Sequence, residues 1–163
     1  MKVELKGFDE LEAKLEALGE KSDEIIKKSL YAGAGVIADS VKKNIEALPT
    51  EDARWLKDGE RYDVCTSSQK EAMASRLGIS HMEDKGDSVD ALIGFDDAGY
   101  IGKPTKKFPK GMPVKMLARS IESGSSVRQK HPFFRTAVNN SKKAAVEKEK
   151  STASEEIQKI MKG

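Results

Sequence analysis

The sequence has little apolar material for its length. Of 163 residues, 37% are hydrophobic and 6% aromatic, whereas 34% are charged; compact domains are usually about 45–50% apolar. The core must therefore be modest, and a subunit of this kind can gain burial by joining its neighbours. No run of about 18 apolar residues is present, and the N-terminus has no apolar signal-peptide stretch, so we expect neither a membrane span nor a secreted precursor.

Cysteine and charge of one sign are also scarce. Cys65 is the only cysteine, which excludes a disulfide within the chain and fits a reducing compartment. Twenty-nine basic and 27 acidic residues leave a net charge of +2. No overall field therefore draws the chain to nucleic acid or to a membrane surface.

A catalytic or metal-binding constellation is lacking as well. His81, His131 and Cys65 match no zinc-ligand spacing, and no spacing supports a nucleophile for a histidine base. Asp96 and Asp97 follow a predicted strand, where metal-dependent nucleases hold carboxylates, but adjacent strand residues face opposite ways. We therefore predict no enzyme, no metal and no cofactor, with a metal-dependent nuclease kept as an alternative.

Hydrophobic periodicity is present and predicts an α+β fold: a small antiparallel sheet packed by a long N-terminal helix and a C-terminal helix, with long loops. Residues 1–5 alternate as in a strand. The next segment predicts a helix with Asp9 as its N-cap and Gly19 at its end. Its apolar stripe consists of Phe8, Leu11, Leu15 and Leu18.

A longer helix follows, from a cap at Ser22 to Pro49. Its predicted buried stripe consists of Ile26, Leu30, Ala34, Ile37, Val41, Ile45 and Leu48. Gly33 and Gly35 lie inside this helix and cost about 1 kcal/mol each against alanine. We expect them to allow another backbone to approach closely.

The remaining elements are shorter. A capping box from Ser68 to Glu71 predicts a helix ending near Leu77, and two strands surround the turn at 83–87. A further helix, stopped by Gly124, has an inner face of Val114, Leu117, Ala118 and Ile121. The last helix is expected to have Pro132 at its first position, which puts His131 at or near the N-cap, with Phe133, Phe134, Ala137 and Val138 as buried anchors.

Two polar segments, about 50–67 and 97–113, are predicted as long loops, with Trp55 and Tyr62 as anchors of the first. The second segment carries Lys103, Lys106, Lys107 and Lys110 beside two aromatic residues, Tyr100 and Phe108. Basic and aromatic residues together can bind nucleic acid, but such a segment is more often a solvated mobile loop, and contact with an acidic partner surface is the next alternative. We predict one domain at 1–140 and a charged helical extension at 141–163.

The late part of the chain contains two motifs in order. "LARSIESGSS" occupies 117–126 and "HPFFRTAV" occupies 131–138, after the early helix "GFDELEAKLEAL" at 7–18. This arrangement resembles the small tail-component family of long-tailed bacteriophages, also called tail-completion or head–tail joining proteins. The family's Glu-x-Gly-Ser/Thr and Pro-Phe-aliphatic/aromatic-Arg-x-Ala motifs are matched by Glu122, Gly124, Ser125, Pro132, Phe133, Phe134, Arg135 and Ala137. The Thr-Gly-x-Leu segment that follows the helix-ending proline in many members is absent after Pro49.

The resemblance implies a structural virion protein, assembled in the host cytoplasm and located at the head–tail junction. It implies a six-fold homo-oligomeric ring between the head connector or adaptor and the tail tube or tail terminator, with genome DNA passing through the lumen without specific binding. The "HPFFRTA" motif would anchor the last helix, and Arg135 would hold a carboxylate or carbonyl, with Glu122 as a candidate. The alternative is a nucleic-acid-binding module using the 100–115 loop.

Overall fold

The computed structural model describes residues 8–51, 65–86, 88–96, 99–126 and 128–162. The strand predicted at 1–5 and the anchors Trp55 and Tyr62 lie outside these ranges. The helices are α1 (Phe8–Glu20), α2 (Ser22–Glu46), α3 (Ser67–Arg76), α4 (Val114–Ser123) and α5 (Phe133–Lys162). The strands are β1 (Leu77–Ile79), β2 (Glu83–Asp84), β3 (Val89–Asp90), β4 (Ile93–Phe95), β5 (Tyr100–Ile101) and β6 (Met112–Pro113). The predicted α+β fold is confirmed.

The two longest helices, α2 and α5, form an antiparallel pair. Near one end the Asn44 side chain donates to the Phe133 carbonyl at 2.9 Å. Near the other end Lys28 pairs with Glu156 at 2.8 Å. Helix α5 has 30 residues, so it extends about 45 Å at 1.5 Å per residue. It continues without a break through the proposed boundary at 140/141, and Ala145 is buried.

The N-terminal half of α2 buries a different face from the predicted one. Ile26 is 50% exposed, whereas Ser29 and Gly33 are buried. The facing helix α5 contributes small buried residues, among them Ala145 and Thr152. The buried positions Ile25, Ser29 and Gly33 each precede a predicted position by one residue, and of the predicted Ile26, Leu30 and Ala34 only Ala34 is also buried.

The two glycines of α2 have different surroundings. A Cβ atom at Gly33 would collide with the side chain of Glu149 on α5, whereas a Cβ at Gly35 would meet nothing within 4 Å. The close approach predicted for Gly33 therefore occurs, but through a side chain rather than a backbone. The close approach predicted for Gly35 is absent among the described residues of this chain.

Several predicted helix ends are displaced. Gly19 lies inside α1, and Ser22 donates its hydroxyl to the Gly19 carbonyl at 2.8 Å instead of capping α2. The N-cap of α3 lies two residues earlier than predicted. Thr66 forms the capping box, accepting from the backbone N–H of Gln69, whose side chain accepts from the N–H of Thr66. The Ser68–Glu71 capping box is therefore wrong, because Thr66 offers the same chemistry two residues upstream.

The described strands form three two-stranded antiparallel ladders. Strands β1 and β4 pair with Leu77 opposite Phe95 and Ile79 opposite Ile93, and β2 and β3 pair at the tip of the same hairpin. Strands β5 and β6 also pair, so the segment predicted at 97–113 as loop contains a short hairpin. Composition does not predict this hairpin, because each of its strands is only two residues long.

The core lies where α2, α3, α4 and α5 meet. The predicted inner face of α4 is confirmed, since Val114, Leu117, Ala118 and Ile121 are all at most 4% exposed. They pack with the C-terminal part of α2, with Cys65 and Met73, and with the start of α5: Val41, Ile45, Leu48, Phe133 and Ala137. None of the helices in the described ranges is long and apolar enough to cross a bilayer.

Candidate assembly site

The connection between α4 and α5 begins with a glycine and brings the two helix ends together. Gly124 ends α4 with a φ of +78°, a conformation that glycine adopts readily and other residues rarely do. The chain then returns, and the backbone N–H of His131 donates to the Ile121 carbonyl at 2.7 Å. This return places the start of α5 directly beside the end of α4.

Glu122 provides the cap of α5 from the neighbouring helix. Its Oε2 accepts the backbone N–H of Phe134 at 2.8 Å, and its Oε1 accepts that of Arg135 at 3.1 Å. His131 lies two residues before the first residue of α5, near the N-cap position, and the Glu122 carboxylate reaches the first-turn N–H groups through space. The predicted contact of the Arg135 side chain with Glu122 is not found among the described residues; Glu122 contacts Arg135 at its backbone N–H instead.

An open apolar groove of about 470 Å³ lies between α4 and α5. We call it the α4–α5 groove; Phe95, Ala118, Phe133, Phe134 and Val138 form its apolar wall, and Lys115, Arg119, Glu122 and Arg135 its charged residues. The four predicted buried anchors of α5 differ in their burial. Phe133 and Ala137 are buried in the core, whereas Phe134 and Val138 are half-buried and line the groove.

The two phenylalanines hold one another in place. Their rings meet edge to face, with centroids 6.4 Å apart and planes at 80°, an arrangement that aromatic quadrupoles favour. Phe133 is 4% exposed. The ring of Phe134 is thus fixed at the groove wall by a core residue, so the groove is preformed.

Ser125 and Arg128 stiffen the same turn. They form an antiparallel bridge in which the Ser125 N–H donates to the Arg128 carbonyl at 3.0 Å. The Arg128 guanidinium is 7% exposed and donates to the Gln69 side chain at 2.9 Å. No pattern in the sequence distinguishes this buried arginine from the exposed ones. It connects the motif turn to the capping box of α3.

The four loop lysines lie on the β5–β6 hairpin, apart from the groove. Lys103, Lys106, Lys107 and Lys110 are all exposed. The ammonium of Lys107 lies 5.6 Å from the centre of the Phe108 ring, and that of Lys110 lies 6.0 Å from the centre of Tyr100. None of these lysines lines the α4–α5 groove.

The residues considered for catalysis are not brought together. Cys65 is 2% exposed and packs near the Pro49 carbonyl, His81 is exposed, and His131 is half-buried. Asp96 pairs with Arg76 at 3.3 Å, and Asp97 lies outside the described residues. Within the described ranges no three His, Cys, Asp or Glu side chains cluster as a metal site would require.

Comparison with known protein families identifies the chain. A family model described as "Bacteriophage HK97-gp10, putative tail-component" matches residues 9–100, more than half of the chain. The chain belongs to this family of phage tail components. It is a structural tail protein of the virion that interacts with other phage structural proteins. Searches of curated proteins and of solved structures returned no match.

The family match covers the α1–α3 region and the first hairpin of this tail component. The motif residues from Glu122 to Ala137 lie beyond the matched range. The family is therefore established independently of them, and their role as a family motif stays a prediction. Their geometric role is the capped, preformed groove described above.

Proposed function

We propose that this tail component is a ring subunit at the head-proximal end of the phage tail, where it joins the head connector to the tail tube. The observation that carries the proposal is the α4–α5 groove: a preformed apolar surface with a charged rim and no arrangement for chemistry around it. Such a surface serves contact between proteins. Its job in the virion is then geometric, and no catalytic step is assigned to it.

Other apolar side chains on the surface support assembly. Leu11, Leu15, Ile26, Tyr31 and Met116 are 43–54% exposed. Single exposed apolar residues are ordinary, but Leu11 and Leu15 adjoin one another on α1 and therefore form a small patch. A subunit with two separate apolar surfaces can contact two different neighbours.

A closed ring uses heterologous interfaces, in which one patch of a subunit meets a different patch of the next. We propose six copies, as the family resemblance implies. The exposed lysines of the β5–β6 hairpin would face either an acidic partner or the lumen. A net charge of only +2 is compatible with DNA that passes without being held, since tight non-specific binding needs many phosphate contacts.

The test is electron microscopy of tails carrying the chain with a small label, compared with unlabelled tails. The expected result is labelled density in a single ring at the end of the tail that joins the head. Label along the whole tube, label at the distal tip, or chain that never enters particles would contradict the proposal. Particles made without the chain serve as the control and should show unjoined heads and tails.

A further inference from the structure

We propose that the ring contact is made by α1 of one copy lying in the α4–α5 groove of the next copy. This inference rests on the proposed ring and names the two surfaces that touch. The occupant is thus a second copy of this chain, and the contact is heterologous. The argument depends on shape, charge and the positions of the two surfaces along the α2–α5 pair.

The first surface is the α1 ridge, defined as Leu11, Glu12, Leu15 and Glu16. Leu11 and Leu15 are 43% and 54% exposed and lie one helical turn apart, so they point to the same side. Glu12 and Glu16 are exposed beside them and line the same shallow surface. The helix carries five acidic residues and one lysine, so the ridge is apolar with an acidic flank.

The second surface has the complementary character. The α4–α5 groove offers Phe134 and Val138 as apolar contacts and exposed arginines at 119 and 135 as cations. Its one carboxylate, on Glu122, already accepts two backbone N–H groups. The groove therefore presents positive charge around an apolar floor, which suits an amphipathic acidic helix laid into it.

The two surfaces lie too far apart to meet within one chain. Ala17 of α1 lines a shared surface with Glu156 and Ile160, near the C-terminal end of α5. The groove contains Val138, near the other end. Eighteen residues of helix separate Val138 from Glu156, about 27 Å at 1.5 Å per residue. Because the α1 ridge and the α4–α5 groove lie at opposite ends of the α2–α5 pair, the ridge of one copy can enter only the groove of another copy. Repetition of this contact gives head-to-tail assembly.

Charge reversal provides the test, because the contact is heterologous. One variant carries Glu12→Lys and Glu16→Lys; the other carries Arg119→Glu and Arg135→Glu. Each is produced in cells that make the particles, its folding is checked by thermal melting, and its incorporation into purified particles is measured by mass spectrometry. Lys148→Glu together with Lys150→Glu, exposed on α5 away from both surfaces, is the matched control.

The proposal predicts that each reversed variant alone enters particles at least ten-fold less than wild type, while the control enters normally. Co-expression of the two variants should restore entry, because every ridge then finds a groove of opposite charge in an alternating six-membered ring. A single chain carrying all four reversals should also enter. Normal entry by either reversed variant alone would overturn the inference.

Other failures separate this inference from the ring proposal. If both variants are excluded and co-expression does not restore entry, the surfaces meet other tail proteins, and the contact between copies is overturned while the ring proposal stands. If the wild-type chain does not enter particles, both this inference and the ring proposal are overturned. If either variant fails to fold, the milder changes Glu16→Gln and Arg119→Gln are used, with the same expected direction.

Cross-linking between cysteines placed on the two surfaces detects the contact directly. Leu15→Cys is placed in one copy and Val138→Cys in another, and particles containing both are treated with a short bismaleimide. Native Cys65 is 2% exposed, so it contributes little background. A dimer band that needs both cysteines supports the contact, whereas the same yield with Val146→Cys in place of Val138→Cys would overturn it.

Discussion

The carboxylate of Glu122 accepts the backbone N–H of Phe134 at 2.8 Å and thereby joins the end of α4 to the start of α5. An anion at a helix N-terminus satisfies donors that have no partner inside the helix and interacts favourably with the helix dipole. The same contact fixes the wall of the α4–α5 groove. Fold stability and the shape of the contact surface therefore depend on one side chain.

Replacing Glu122 with alanine should destabilise the protein by about 0.5–2 kcal/mol, the usual range for a lost helix cap. Glu122→Gln should cost less, because the amide oxygen still accepts one of the two N–H groups. Urea unfolding measures both. Glu71→Ala, an exposed glutamate on α3, is the control and should change little. Equal stability of Glu122→Ala and the control would refute the capping role.

Phe133→Ala should destabilise by about 3–5 kcal/mol, because a nearly buried aromatic side chain leaves a cavity that the core only partly fills. Phe133 is 4% exposed. Val146→Ala, on the same helix at a position 39% exposed, should cost far less. A thermal melt of the two variants decides the matter, and an unchanged melting temperature for Phe133→Ala would show that the ring is not buried.

Replacement by alanine should change the stability of the protein differently at the two glycines of α2. Gly35→Ala should stabilise by up to about 1 kcal/mol, since the added methyl meets nothing and helix propensity improves. Gly33→Ala should not be stabilised in this way, because its added methyl group would collide with the Glu149 side chain. Adding Glu149→Ala to Gly33→Ala should recover stability. Equal unfolding midpoints for the two single variants would contradict the close packing of α2 on α5.

Acid should weaken the far end of the α2–α5 pair. Hydrogen bonds from Lys159 and then Lys28 hold the pKa of Glu156 below its ordinary value. A depressed pKa contributes stability above the unfolded-state pKa, and this contribution is lost as pH falls through the folded-state pKa. Glu156→Gln should therefore flatten part of the fall in melting temperature below about pH 4.5. Glu147→Gln, exposed on the same helix, should leave the profile unchanged.

The loop lysines separate the proposed function from the nucleic-acid alternative. The proposed function predicts no measurable DNA binding at low salt, either by the wild-type chain or by a variant with Lys103, Lys106, Lys107 and Lys110 all changed to alanine. A nucleic-acid module using four phosphate contacts would instead show a log–log salt slope of about −3.6 that the substitution abolishes. Band-shift assays at two salt concentrations distinguish these results.

Amphipathic periodicity predicted α4 correctly because its apolar side chains face a crowded core, so hydrophobicity and burial agree. The N-terminal half of α2 was predicted with the wrong face. There Ile25, Ser29 and Gly33 are buried while Ile26 is half exposed. Which of two adjacent positions is buried depends on the surface of the partner helix, and the periodicity within one helix does not contain that information.

The candidate site was predicted in part. The motif from Glu122 to Ala137 pointed to the start of α5 and to Phe133 as an anchor, and Phe133 is in the core. The sequence did not indicate that Glu122 would cap α5, because that contact depends on the turn at Gly124. It also did not separate buried Arg128 from the exposed arginines, since burial of an arginine is decided by a distant partner, here Gln69.

The bridge between Thr50 and Cys65 has a practical consequence for locating this protein in a virion. The Glu51 N–H donates to the Cys65 carbonyl at 3.0 Å, so the two residues that flank the segment 52–64 lie side by side. Extra residues inserted between them need not displace α2 or α3, because the free-energy cost of closing a longer stretch of chain rises only slowly with its length. That segment is accordingly the natural place to insert a peptide tag, leaving the ridge and the groove untouched.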